Sequence, residues 1–171
     1  MSSEDWPLVR LADLCESIDY GYTQSASTEP VGPKFLRITD IVSGPINWPS
    51  VPFCEADVSA TSKYQLRDGD IVIARTGATT GVSAYIQNPP EAVFASYLVR
   101  LHIDRTQADS RFVSFFLKSS TFWEHIRGVL GDKSAQPNAS AKTMTQAVLR
   151  LPPLPECRCR SNNDHFMTVE N

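Results

Sequence analysis

The chain has 171 residues, 42% of them hydrophobic and 20% charged, with a net charge of −3. That is the make-up of an ordinary globule, long enough for one domain with a real core and too short for two comfortable ones. No apolar run approaches a membrane span and no signal-peptide pattern opens the chain, so a cytoplasmic protein away from membranes is expected. Cys15 and Cys54 are isolated, and Cys157-x-Cys159 has no second ligand pair, so reduced thiols are expected rather than a zinc site.

In chain order, Leu8 to Leu11 reads as a short strand, with Asp13 and Leu14 in a turn. Residues 19–33 carry Gly, Pro, Ser and Thr without any period and read as loop. Phe35 to Ile38 is expected as a strand. A Pro-containing excursion over 43–63 follows, anchored by Trp48, Val51 and Phe53. Residues 64–69 turn into Ile71-Val72-Ile73, a continuous β-branched run that suits a strand buried on both faces. Arg75 to Gly81 is a turn, and Ser83 to Ile86 a strand.

Asn88-Pro89-Pro90-Glu91 breaks the chain again. Phe94 to Ile103 has period two: Tyr97, Val99, Leu101 and Ile103 on one face, Leu98, Arg100 and His102 on the other. Asp109 or Ser110 caps a helix whose core face is Phe112, Val113, Phe116, Trp123 and Ile126, with a break at Ser119-Ser120. Gly128 to Ser140 reads as loop. A helical turn over Ala141 to Gln146 and a strand over Ala147 to Leu151 end in Pro-Pro-Leu-Pro-Glu, whose prolines cannot continue either element. The domain is thus expected over 1–151, with 152–171 a proline-rich connector and a short, disordered tail. The fold class is α+β, a bent and mostly antiparallel sheet with a helix layer.

No active site assembles from these residues. Asn88-Pro89-Pro90-Glu91 begins like an amino-methyltransferase motif, but Glu91 stands where an aromatic would stack on the target base. Gly77-Ala78-Thr79-Thr80-Gly81 follows a strand, yet lacks the Lys and the helix of a phosphate loop. His102, His125 and His165 are scattered and suit solvated surface positions. A small enzyme built on the turn at 75–81 is the remaining catalytic reading.

DNA contact is a better use of that turn. Arg75 can fork onto a phosphate or a guanine edge, and Thr76, Thr79 and Thr80 can approach a backbone. The bland alternative pairs Arg75 with a carboxylate such as Asp70. Two polar loops suit base edges: Tyr20, Tyr22 and Gln24 in one, and Lys133, Ser134, Gln136 and Asn138 in the other. The net charge argues mildly against DNA. Its distribution softens this, since residues 1–70 hold 5 Lys/Arg against 11 Asp/Glu and residues 71–156 hold 9 against 6.

Four segments in order carry a family resemblance. Trp6-Pro7-Leu8-Val9-Arg10-Leu11-Ala12-Asp13-Leu14 resembles a W-x-x-V-x-L-G-D-I opening, with Ala12 in place of Gly. Phe35-Leu36-Arg37-Ile38-Thr39-Asp40-Ile41 resembles Y-L-R-x-x-D-I. Gly69-Asp70-Ile71-Val72-Ile73-Ala74-Arg75-Thr76-Gly77 resembles G-D-I-L-x-x-R-x-G. Gln136 to Glu156 resembles the closing segment that leads into Pro-Leu-Pro-Pro-Leu. Together they resemble a target recognition domain of the DNA specificity (S) subunit of type I restriction–modification systems.

The resemblance implies a non-catalytic domain that reads one half of a bipartite double-stranded DNA target. A modification (methyltransferase) subunit, and possibly a restriction subunit, would do the chemistry with S-adenosylmethionine, ATP and Mg, and this chain would need no cofactor. It adds Arg37 and Lys142, which lie in matching segments, to the contact candidates. In the family a long helix follows the proline run. Here the fifteen residues after Glu156 have no apolar seam and would span only about 22 Å as a helix. A monomer truncated after one domain is therefore expected. The alternative is a shortened specificity protein that competes for the modification subunit without binding DNA.

Overall fold

The computed structural model describes residues 5–131 and 138–161, with side chains as far as Cys157. Its centre is a four-stranded antiparallel sheet of β2 (Cys15–Tyr20), β7 (Leu98–Ile103), β4 (Ile71–Ala74) and β5 (Ser83–Tyr85), in that order. β1 (Leu8–Arg10) pairs antiparallel with β8 (Val148–Arg150), and β3 (Lys34–Leu36) pairs parallel with β6 (Ala92–Phe94). This is the expected mixed architecture, with the sheet distributed over three pieces.

The β-branched run of β4 is buried at all four positions because the sheet is covered on both sides. Alternation sends Ile71 and Ile73 to one face with Val99, Leu101 and Ile103. There they meet α3 (Ser110–Phe116), α4 (Ser120–Leu130) and α5 (Ala141–Met144) through Val113, Phe122, Ile126 and Met144. Val72, Ala74 and Leu98 take the other face, against Leu36, Ile41, Val51 and Phe94. Val51 is thus the anchor expected of it.

The helix starts follow the capping rule. The Asp109 carboxylate accepts from the amides of Arg111 and Phe112, the Ser119 hydroxyl from Phe122, and the Ser140 hydroxyl from Thr143. Ser119-Ser120 divides two helices as expected, and Phe112, Phe116 and Trp123 pack against the core, in which Phe122 is completely buried.

Several elements depart from the sequence reading. Residues 15–20 form a strand that the reading lacks, and its polar members hide the period: Ser17 and Asp19 bind each other, and Asp19 pairs across to Arg100. Ile38 leaves the strand for α1 (Ile38–Ile41), where Arg37 and Asp40 close a capping box. The excursion contains α2 (Val58–Tyr64), capped by Asp57. The long strand at 94–103 is two strands with a turn between, and Tyr97 is 60% exposed rather than on the core face. α4 continues to Leu130 before Gly131 ends it at φ +60°. The proline run opens a helix, α6 (Leu154–Ser161), because Pro is tolerated in a first turn. Cys157 is buried and α6 lies against α3. The expected disordered tail beyond 161 lies outside the described residues.

Candidate nucleic-acid interface

Register brings separate stretches of sequence to one end of the four-stranded sheet. Tyr20 faces Val99 and Ala74 faces Leu98, so β2 and β4 finish where β7 begins. Residues 21–22, 75–76 and 95–97 therefore leave the sheet together. A Cβ on Gly21 would overlap the carbonyl oxygens of Phe94 and Ala95, so glycine is required for this approach. Tyr22 N then donates to Phe94 O at 2.7 Å, and Ser96 N to Tyr22 O at 3.0 Å.

The third contributor comes from far along the chain. Arg75 N donates to Tyr97 O at 3.1 Å and Ala139 N to Arg75 O at 2.9 Å, while Thr76 bridges Asn138. The Tyr20 hydroxyl accepts from Ala141 N at 3.0 Å, tying β2 to the start of α5. Lys142 follows on that helix, exposed. Four of the predicted contact residues, Tyr20, Arg75, Thr76 and Asn138, thus share one knitted platform.

Arg75 is braced there. Its guanidinium carbon sits 4.6 Å from the centre of the Tyr20 ring, and Nη2 donates to Asn138 Oδ1 at 3.4 Å. Its Nε is buried without a hydrogen-bond partner among the described residues. Among the described residues no carboxylate lies within ion-pair distance of Arg75 or Lys142. The bland alternative fails on geometry: Asp70 accepts from Arg67 N and binds His102 Nδ1 at 2.7 Å instead.

A concavity of about 400 Å³ adjoins this platform. Tyr22, Gln24 and Arg37 line it, with Thr39, Ser96 and Tyr97. Arg37 forks onto Asp40 through Nε and Nη2, both at 3.0 Å, and the carboxylate hydrogen bond, against desolvation, holds the guanidinium pKa above its ordinary value. Gln24 donates to Glu55 O and accepts from Ser25 N.

The model of the type I restriction modification DNA specificity domain matches residues 3–162. The chain belongs to this family. It is a family of specificity domains rather than catalytic subunits, as the lack of an assembled active site led us to expect. A comparison with curated proteins finds no match.

Among solved structures, the HsdS subunit from Thermoanaerobacter tengcongensis matches with a TM-score of 0.66 at 18% identity, over 91% of this chain and 40% of that one. A structure of a type I R-M system addressing complex assembly and conformational transition gives 0.66 at 17%, over 91% and 40%. The type I restriction-modification S subunit from M. genitalium gives 0.56 at 12%, over 84% and 33%. The chain therefore shares the fold and spans about two fifths of the length of the first of these subunits.

The other predicted contact residues of this specificity domain are distributed less favourably. Thr80 is buried and its hydroxyl donates to Gly77 O at 2.8 Å, closing the turn that Gly77 and Gly81 make at φ +71° and +98°. Thr79 donates to Thr76 O at 3.4 Å in the same turn. Lys133, Ser134 and Gln136 lie outside the described residues. Thr39, Ser96 and Tyr97 had no signal in the sequence, since no motif marks a hydroxyl that the fold leaves at the edge of a concavity.

A second polar cluster lies on the flank of the specificity domain. His102 is not the solvated residue expected: Nδ1 binds the fully buried Asp70 and Nε2 lies 3.4 Å from Glu16. Beside it Arg100 pairs with Asp19 at 2.7 Å. Among the described residues no group of His, Cys, Asp and Glu is suited to hold a metal, and no helix is long and apolar enough to cross a membrane. Burial pushes the Cys15 thiol up to about 12 and the Cys54 thiol up to about 11.

Proposed function

We propose that this chain reads one half of a bipartite DNA target for a type I methyltransferase, presenting the loop end of its sheet to the duplex. One observation carries the reading: stretches distant in sequence converge on that end around Arg75, a braced cation with no counter-charge among the described residues. A cation held in place but not neutralised is suited to a phosphate, whose binding releases counterions. Lys142, on the helix tied to Tyr20, adds a second positive charge.

In this reading the chain works in the cytoplasm as a monomer and needs no cofactor. A modification subunit brings S-adenosylmethionine, and in a full system a restriction subunit uses ATP and Mg. Arg75→Ala tests it in binding titrations at several salt concentrations. Binding should weaken about equally on all sequences, and the salt dependence should flatten by about one counterion. An unchanged slope would return Arg75 to a purely structural role. Capture of the modification subunit without any DNA shift would instead establish the competitor reading.

A further inference from the structure

Three predicted contact residues around the concavity are already engaged. Tyr22 stacks on Tyr64 with ring centres 5.1 Å apart, the Gln24 amide is bonded at both its oxygen and its nitrogen, and Arg37 is forked onto Asp40. A side chain that must first break internal bonds is a poor reader.

Thr39, Ser96 and Tyr97 border the same concavity in a different state. None of their hydroxyls has a hydrogen-bond partner among the described residues. Thr39 is exposed, and Tyr97 holds 60% of its surface in water although its neighbour Leu98 is fully buried. The backbone beneath them is fixed: Ser96 N is bonded to Tyr22 O, Tyr97 O accepts from Arg75, and Leu98 N donates to Ala95 O at 2.9 Å. The floor between them is apolar, made by Phe35, Ile38 and Ala95. Free hydroxyls on a rigid backbone over an apolar floor match one edge in the major groove. A thymine presents a methyl group beside the O4 acceptor, and its adenine partner adds a donor and an acceptor.

We propose that Thr39, Ser96 and Tyr97 are specificity-determining residues of this domain and that the base pair they read contains thymine. The methyl group rests on the apolar floor and the hydroxyls bond the polar edge. Tyr22, Gln24 and Arg37 act as positioning residues for that rim. The proposal rests on the loop end being the DNA face and divides its labour: Arg75 takes phosphate and the rim takes the base.

Selection from randomised duplexes with the full 171-residue chain tests it, followed by titration of the selected duplex and of a copy with uracil for thymine. The wild type should select an A·T pair at one position, and uracil there should weaken binding roughly fivefold. Thr39→Ala, Ser96→Ala and Tyr97→Phe should each relax that position while leaving the salt slope unchanged. Tyr97→Phe removes only a hydroxyl from an exposed ring, so it retains the fold. The proposal is overturned if uracil binds as tightly as thymine, or if all three variants keep the full preference. A wild type that selects no sequence, with an Arg75→Ala salt slope unchanged, overturns the reading of the DNA face itself and the rim with it.

Discussion

Arg75 at the loop end and Arg100 on the flank begin alike. Each places its guanidinium over an aromatic ring, Tyr20 and Phe94 respectively, and each buries an Nε without a hydrogen-bond partner among the described residues. They differ in what the rest of the guanidinium meets. Arg100 gives Nη2 to Asp19 and Nη1 to the Gln65 carbonyl, both at 2.7 Å. Among the described residues the Arg75 guanidinium has a single long bond, to an uncharged amide. A cation that the fold neutralises holds two strands together; one that it only braces keeps its charge for something outside. The flank belongs to stability and the loop end to binding, although each is a polar patch on the same sheet.

Three experiments press on that contrast. The largest effect is expected from Gly21→Ala, which drives a Cβ into the carbonyls of Phe94 and Ala95. It should cost about 3 kcal/mol in chemical denaturation and also weaken DNA binding, because the platform under Tyr97 and Arg75 moves. Next, Arg100→Ala should cost about 2 kcal/mol by stranding Asp19 and the Gln65 carbonyl. Arg75→Ala should cost less than about 1 kcal/mol, the loss of a half-buried cation–ring contact. Equal losses for the two arginines in the same denaturation series would erase the distinction drawn between them.

The smallest effect is a matter of pH. Desolvation pushes the Asp19 pKa up, but hydrogen bonds from Arg100 and Ser17 outweigh it, and the carboxyl stays below its ordinary value. Its stabilising contribution is therefore fully present above the unfolded value of about 3.9 and is lost as pH falls through the folded one. Asp19→Asn should flatten the acid limb of a stability–pH curve below about pH 4. An acid limb as steep as that of the wild type would assign the effect to other carboxylates.

The strongly patterned parts of the chain were readable in advance. The run at 71–73 is apolar at every position because both faces are covered, and Asp109 and Ser119 cap helices as their side chains dictate. Residues 15–20 escaped because Ser17, Asp19 and Arg100 satisfy one another across strands, so polarity did not mean solvent. The turn at 95–97 escaped because an unbroken alternation continues through it; only the close approach at Gly21 shows why the chain must bend there. For the site, sequence marked Tyr20, Arg75 and Asn138 but could not show that they touch. It chose Gln24 by residue type and Arg37 by its place in a matching segment, whereas the partners Glu55 and Asp40 decide whether such groups are available.

The pairing of β1 with β8 has a consequence for how the protein is made. Leu8 lies opposite Arg150, and the contact is reinforced by Leu11 N to Ala147 O and Leu151 N to Pro7 O. The first strand of the domain thus has its partner among the domain's last residues. Closing so long a loop is slow, and among the described residues β1 pairs with β8 alone. Leu8 through Leu11 must wait for translation to pass residue 150, with Leu11, fully buried in the finished fold, still in water. The domain therefore closes only once residue 150 has emerged, and until then its opening strand is the part of the nascent chain most in need of a holding chaperone.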